Sequence, residues 1–191
     1  MTLWLDMLRH GETEEGGGLR GSTDDALTAL GWEQMHDAVR AAGPWDVIVT
    51  SPLQRCARFA EALTQRLELP LVYEPDLQEL HFGAWECRTP AQLMETDEVG
   101  LGLFWNDPYG FTPPDGEPVL AFRTRVLAAV ERLYQTYAGQ RVLLVTHGGV
   151  MRLLLAHARG LPREQLLQVQ VVHGALLTVQ VAAGGLLSEP L

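Results

Sequence analysis

Three short stretches, far apart in the chain, carry residue types that could do chemistry. Arg9-His10-Gly11 follows one apolar run, Thr50-Ser51-Pro52 follows a second with Arg55 just beyond, and Thr146-His147-Gly148-Gly149 follows a third. Imidazole can act as nucleophile or general acid–base near neutral pH, and guanidinium is a lasting cation with a planar fork of donors. Two histidines and two arginines brought together make a compact cationic pocket suited to a tetrahedral dianion, and a phosphate fits that description. Glycines after both histidines are expected to let the chain turn sharply and to bring backbone N–H groups near the anion. All 14 basic residues are arginine, so lysine Schiff-base and P-loop chemistry are excluded, and any bound anion must be held by arginine.

The elements that position these residues can be read along the chain. Residues 3–8 form an apolar strand, followed by a glycine-rich loop over 14–25. Thr28 is placed to cap a helix that runs to Ala42, where Gly43-Pro44 stops it. Residues 46–50 form a short buried strand, and Ser51 is expected to cap a helix with Pro52 in its first turn, ending near Leu67. Another short strand covers 71–73. Residues 76–114 are less regular, with a short helix near 91–95, and are read as an excursion that carries part of the site. After the turn signal Pro113-Pro114-Asp115-Gly116, apolar residues at Val119, Phe122, Val126, Val130 and Leu133 mark a helix within 117–138. A buried strand over 141–146 and a helix over 149–158 follow. Residues 167–181 read as two strands around His173-Gly174. This alternation predicts an α/β fold of three layers, α/β/α, around a mainly parallel sheet. In such sheets ligands bind beyond the carboxyl ends of the strands, where all three chemical stretches fall.

The whole chain sets further bounds. Its 191 residues are 47% hydrophobic and 20% charged, consistent with one folded domain over 1–191. No apolar run approaches the ~18 residues of a membrane span, and no basic and apolar leader opens the sequence, so a cytoplasmic protein is expected. A net charge of -10 argues against nucleic acid or an anionic membrane as partner. Cys56 and Cys87 lack metal-ligand spacing and are read as free thiols; no metal or other cofactor is expected. Gly16-Gly17-Gly18 is no dinucleotide fingerprint, because no helix opens within it. His36, His81, His157 and His173 are assigned to structural or surface roles.

Four motifs together bear a family resemblance. "LRHGET" resembles the signature of the histidine phosphatase superfamily, also called phosphoglycerate mutase-like, and "SPLQRCARFAEAL" is similar to its second arginine motif. "LQELHFGAWE" resembles the segment that carries its acidic residue, and "VTHGGVMRLLL" its second histidine motif. The resemblance implies a phosphoglycerate mutase-like fold and a phosphatase that works through a phosphohistidine. It implies His10 as nucleophile, Arg9, Arg55 and His147 as clamps on the phosphoryl oxygens, and Glu79 as proton donor to the leaving oxygen; Glu12 and Glu86 rank below Glu79 for that role. The loop "EGGGLRGSTDDALTALGWEQM" is similar to that of bacterial alpha-ribazole phosphatases. Family mutases usually carry a tryptophan-asparagine pair after the first motif, whereas Glu14-Glu15-Gly16-Gly17 stands in this chain, which favours hydrolysis over isomerisation. The expected substrate is a small phosphate ester, alpha-ribazole 5'-phosphate or adenosylcobalamin 5'-phosphate in cobalamin biosynthesis, with Arg20, Gly21, Ser22 and Gly148 as substrate-binding candidates. The alternatives are a broad-specificity phosphatase, a mutase-like enzyme, or a catalytically dead phospho-ligand binding protein, as monomer or homodimer.

Overall fold

A strand with an unbroken apolar run must be covered on both sides, and Arg141–Thr146 (β4), apolar from Val142 to Val145, is such a strand. In the computed structural model, which describes residues 1–190, Val142 and Leu144 enter one core layer and Leu143 and Val145 the other, all without solvent exposure. β4 pairs in parallel with Leu3–Arg9 (β1) on one side and Val47–Thr50 (β2) on the other, and Leu71–Tyr73 (β3) extends the sheet beyond β2. Leu176–Ala182 (β5) and Leu186–Ser188 (β6) add antiparallel to the far side of β1, giving the order β3-β2-β4-β1-β5-β6.

Helices cover both faces, as the alternation of strand and helix signals predicts. Ala29–Val39 (α1) and Gln54–Leu67 (α2) bring Met35, Phe59 and Leu63 against Ile48 and Leu143. Val119–Tyr137 (α5) and Gly148–Ala158 (α6) bring Val126, Val130 and Leu154 against Leu5, Met7 and Leu144. The excursion after β3 contains Pro90–Thr96 (α3) and Glu98–Asn106 (α4). Asp6 is a buried carboxylate within β1, and it is fully engaged: Trp45 Nε1, Arg141 Nε and Thr178 Oγ1 donate to it at 2.7, 2.7 and 2.6 Å. Such a group is tolerated in a core because every lone pair that faces protein has a donor.

Several expectations need correction. Ser51 does not cap α2; the N-cap is Leu53, without a side-chain bond, and the Ser51 hydroxyl is engaged by His147. Helix α1 ends at Val39 rather than Ala42. α4 is absent from the sequence reading because Gly100 and Gly102 weaken its helical signal; the Asp97 side chain caps it by accepting from Gly100 N. Residues 167–181 hold one strand, not two. The carbonyls of Val169 and Val171 accept from the side chains of Arg152 and Arg9, so this segment spends its backbone acceptors on the site and not on a ladder.

Candidate active site

The carboxyl ends of β1, β2 and β4 converge as the topology requires. His10 follows β1 directly, and its N–H donates to the Thr146 carbonyl at 3.0 Å, which ties the end of β1 to the end of β4. The His10 ring is 5% exposed, and Nδ1 lies 2.8 Å from the Gly11 carbonyl oxygen. A carbonyl can only accept, so Nδ1 carries the proton and Nε2 keeps its lone pair. Burial, then the nearby Arg55 guanidinium, hold the imidazole pKa well below 6.5, so the ring is neutral at physiological pH.

His147 ends β4 and stands at the N-cap of α6, fully buried, with its ring centroid 5.3 Å from that of His10 in an edge-on arrangement. Its Nε2 shares a 2.7 Å hydrogen bond with the Ser51 hydroxyl. Burial and Arg55 push its pKa well below the usual value as well. Cys56, behind it in α2, donates to the Thr146 carbonyl at 3.4 Å, and burial pushes its thiol up to about 12, so it is a packed thiol and not a nucleophile.

The two arginines are anchored by carbonyls. Arg9 Nη1 donates to Val171 O at 2.5 Å; Arg55, without exposure, donates to Thr23 O and Gly21 O at 2.5 and 2.8 Å and lies 3.6 Å from Asp25. The Nε atom of each arginine is buried and has no acceptor among the described residues. Burial lowers Arg9 to about 10, against the attraction of Glu79, so it stays charged at neutral pH. Two anchored cations, each with a spare buried donor and each acting on the His10 ring, are what an anionic ligand at Nε2 requires.

Glu79 reaches the same place from the excursion. Its Oε1 accepts from Leu80 N at 3.0 Å and its Oε2 from Gly149 N at 2.8 Å, in the first turn of α6. A Cβ at Gly149 would stand 2.1 Å from Glu79 Oε1, so glycine is required for this approach. Neither Gly11 nor Gly148 has the positive φ that a sharp glycine turn implies. They are glycines for contact: a Cβ on Gly11 would meet the Gly31 carbonyl at 2.1 Å, and one on Gly148 would meet Arg9 Nε at 3.0 Å.

A cavity of about 560 Å³ opens over these groups, lined by Arg9, His10, Glu79, Arg20, Arg152 and His173, with the 16–18 glycine loop as its rim. Arg55 and His147 lie behind that lining. Arg20 lines the cavity while bonded to Asp25 at 3.0 Å and to the carbonyls of Gly16 and Leu19, so it also braces the loop. Gly21 and Ser22 do not line it: their N–H groups donate to Glu86 at 3.1 and 3.0 Å. Two basic lining residues escaped the sequence reading. Arg152 could have been found, since it lies four residues after Gly148 and so on the same helix face. His173, assigned a structural or surface role, has its ring centroid 5.7 Å from that of His10. Nothing local signals this; the Arg9 N–H to Ala175 O bond of 2.9 Å brings it in.

Comparison with known proteins agrees with this geometry. The family profile described as Histidine phosphatase superfamily (branch 1) matches residues 5–188. The Adenosylcobalamin/alpha-ribazole phosphatase of Escherichia coli K12 is 33% identical over 186 residues, 95% of this chain and 90% of that protein. The crystal structure of the alpha-ribazole phosphatase from Shigella flexneri superposes with a TM-score of 0.80 at 32% identity, covering 100% of this chain and 95% of the other. Bacillus stearothermophilus YhfR superposes with a TM-score of 0.88 at 28% identity, covering 99% and 96%. A neutral histidine with a free Nε2, two buried arginines and a carboxylate on one rim thus stand in a chain that belongs to the histidine phosphatase superfamily, branch 1, and is a phosphatase.

Proposed function

We propose that the chain hydrolyses phosphomonoesters through a phosphohistidine at His10, with alpha-ribazole 5'-phosphate or adenosylcobalamin 5'-phosphate as its substrate. The observation that carries the mechanism is the neutral His10 ring, with Nδ1 committed to Gly11 and Nε2 free beside two buried guanidinium groups. The Nε2 lone pair attacks phosphorus, and the ester P–O bond breaks. Arg9 and Arg55 neutralise the charge that spreads over the equatorial oxygens, with His147 as a further donor. Glu79 gives its proton to the departing oxygen. Water then attacks phosphorus, its proton passes to the Glu79 carboxylate, the P–N bond breaks, and phosphate leaves with His10 restored. The substrate assignment is supported by the names and high mutual coverage of the relatives in E. coli and Shigella.

The test is alkaline-quenched turnover followed by mass spectrometry of the active-site peptide, with a steady-state panel of esters. A phosphoryl group on His10 and the highest kcat/KM for the ribazole ester are expected. A His10→Ala protein that still turns over would overturn the mechanism, and phosphoglycerate isomerisation faster than hydrolysis would overturn the assignment as a hydrolase.

A further inference from the structure

Away from His10, a separate cavity of about 340 Å³ is lined by residues of α5, α6 and the short 3-10 helix Arg163–Gln168, and none of them lines the catalytic cavity. Leu120 and Arg123 stand three apart on α5, and Leu153, Ala156 and His157 three and four apart on α6, so each set shares a helix face. The floor is apolar, with Leu153, Ala156 and Leu166 buried. Above it Arg123, His157 and Arg163 come from three different elements, and no carboxylate lines the space. In a chain of net charge -10 this is a local reversal of sign. Arg163 is fixed: its Nε donates to Asp107 at 3.2 Å, its Nη2 donates to the same carboxylate, and its guanidinium carbon lies 5.4 Å from the centre of the Tyr109 ring. Arg123 is half-buried and, among the described residues, has neither a hydrogen-bond acceptor nor an ion-pair partner for its guanidinium. Burial, then Arg123, lower the His157 pKa from 6.5, so that ring is neutral at physiological pH. Two guanidinium charges thus face one carboxylate, Asp107, and one positive charge is left unmatched.

We propose that this cavity is a second, non-catalytic ligand site for a small organic monocarboxylate with an apolar body, whose carboxylate pairs with Arg123 and whose hydrocarbon lies on the leucine floor. One unmatched charge calls for a single anionic group, and the free planar fork of Arg123 matches a carboxylate in two parallel hydrogen bonds. Covering the leucines adds the gain of apolar burial. The volume is at the low end of the ~300–1,000 Å³ of small-molecule sites, which suits a short alkyl chain or one ring. An inorganic anion would leave the floor bare, and an uncharged ligand would leave Arg123 unpaired. The site stands apart from the ester chemistry, and its test needs no turnover.

The test titrates 4-phenylbutyrate, 4-phenylbutan-1-ol and acetate into the full chain, followed by calorimetry and by amide NMR shifts, and repeats the first ligand with Arg123→Gln and Leu120→Asp. Arg123 makes no bond that holds the fold and Leu120 is 59% exposed, so both variants are expected to fold, with circular dichroism as the check. One equivalent of 4-phenylbutyrate is expected to bind, at least tenfold tighter than the alcohol or acetate, with the largest shifts at residues 153–157 and 163–166. Arg123→Gln should weaken it at least tenfold, and Leu120→Asp, which sets a like charge at the rim, at least threefold. The proposal is overturned by the absence of saturable binding, by an alcohol or acetate that binds as tightly as 4-phenylbutyrate, or by an affinity unmoved in either variant. Shifts centred on residues 9–11 and 147–149 would also overturn it, because they place the carboxylate on the catalytic arginines.

Discussion

Glu79 is held by two backbone N–H groups, and its task depends on what leaves. An alkoxide needs a proton to depart, whereas 4-nitrophenolate does not. Glu79→Gln is therefore expected to slow alkyl phosphate hydrolysis by about 10²–10⁴, with a far smaller loss for 4-nitrophenyl phosphate. Equal losses for both esters would mean that the residue positions the substrate and does not donate. His10 and His147 make a second prediction. Both rings are pushed well below 6.5, first by burial and then by Arg55, so NMR titration of the protein without phosphate should find both neutral at pH 6. Protonation of either near 6.5 would contradict the geometry. At this scale the convergence of His10, Arg9, Arg55 and Glu79 was legible, because their types and motif spacing survive in one dimension. His173 was not, since only the pairing of β1 with the segment ahead of β5 places it beside His10.

The elements meet the site at two contacts that can be cut separately. The first is the approach of Glu79 to the N-terminus of α6. Gly149→Ala puts a methyl group where Glu79 Oε1 lies, so activity on alkyl esters should fall about a hundredfold with little change in the far-ultraviolet circular dichroism. Unchanged kcat would show that Glu79 can stand elsewhere and still work. The second contact is Glu86, which in sequence looked like a rival to Glu79. It accepts from the N–H groups of Gly21, Ser22, Thr23 and Phe82 and, at 2.7 Å, from the Thr23 hydroxyl, so it fastens the glycine-rich loop to the excursion. Burial opposes its ionisation, but these donors win and hold its carboxyl below 4.5. A lowered carboxyl pKa stabilises the fold above the unfolded value, and the contribution is lost as pH falls through the lower folded value. Glu86→Ala should thus speed amide exchange at residues 21–23 at neutral pH, and the native loop should loosen likewise as pH falls through the lowered carboxyl value. Strand and helix placement was readable wherever a period was strong, as in β4 and α5. It failed where side chains competed with the backbone: Ser51 is taken by His147, and Val169 and Val171 by arginines.

For the molecule as a whole, the site is a source of instability that its ligand relieves. Arg55 and Arg152 act on Arg9, and Arg55 and Arg9 act on two buried histidines, so cations are concentrated in a chain whose net charge is -10. The histidines stay neutral in the folded state, while in the unfolded chain they take up protons near 6.5. The unfolded state then binds more protons, so stability is full above 6.5 and declines as pH falls toward the lower folded values. Scanning calorimetry should show Tm falling from pH 7 to pH 5.5, with net proton uptake on unfolding at pH 6 when buffers of different ionisation enthalpy are compared. Under the proposed function, phosphate binds the folded state alone and supplies the acceptors that the two buried arginine Nε atoms lack. At a hundredfold excess over its Kd it should add about 2.7 kcal/mol, which for a chain of this size is a rise of roughly 5–10 °C in Tm. The rise should shrink sharply in Arg9→Ala, which removes one of those donors and one cation. An equal rise in that variant would locate the phosphate away from Arg9, and with it the reaction away from His10.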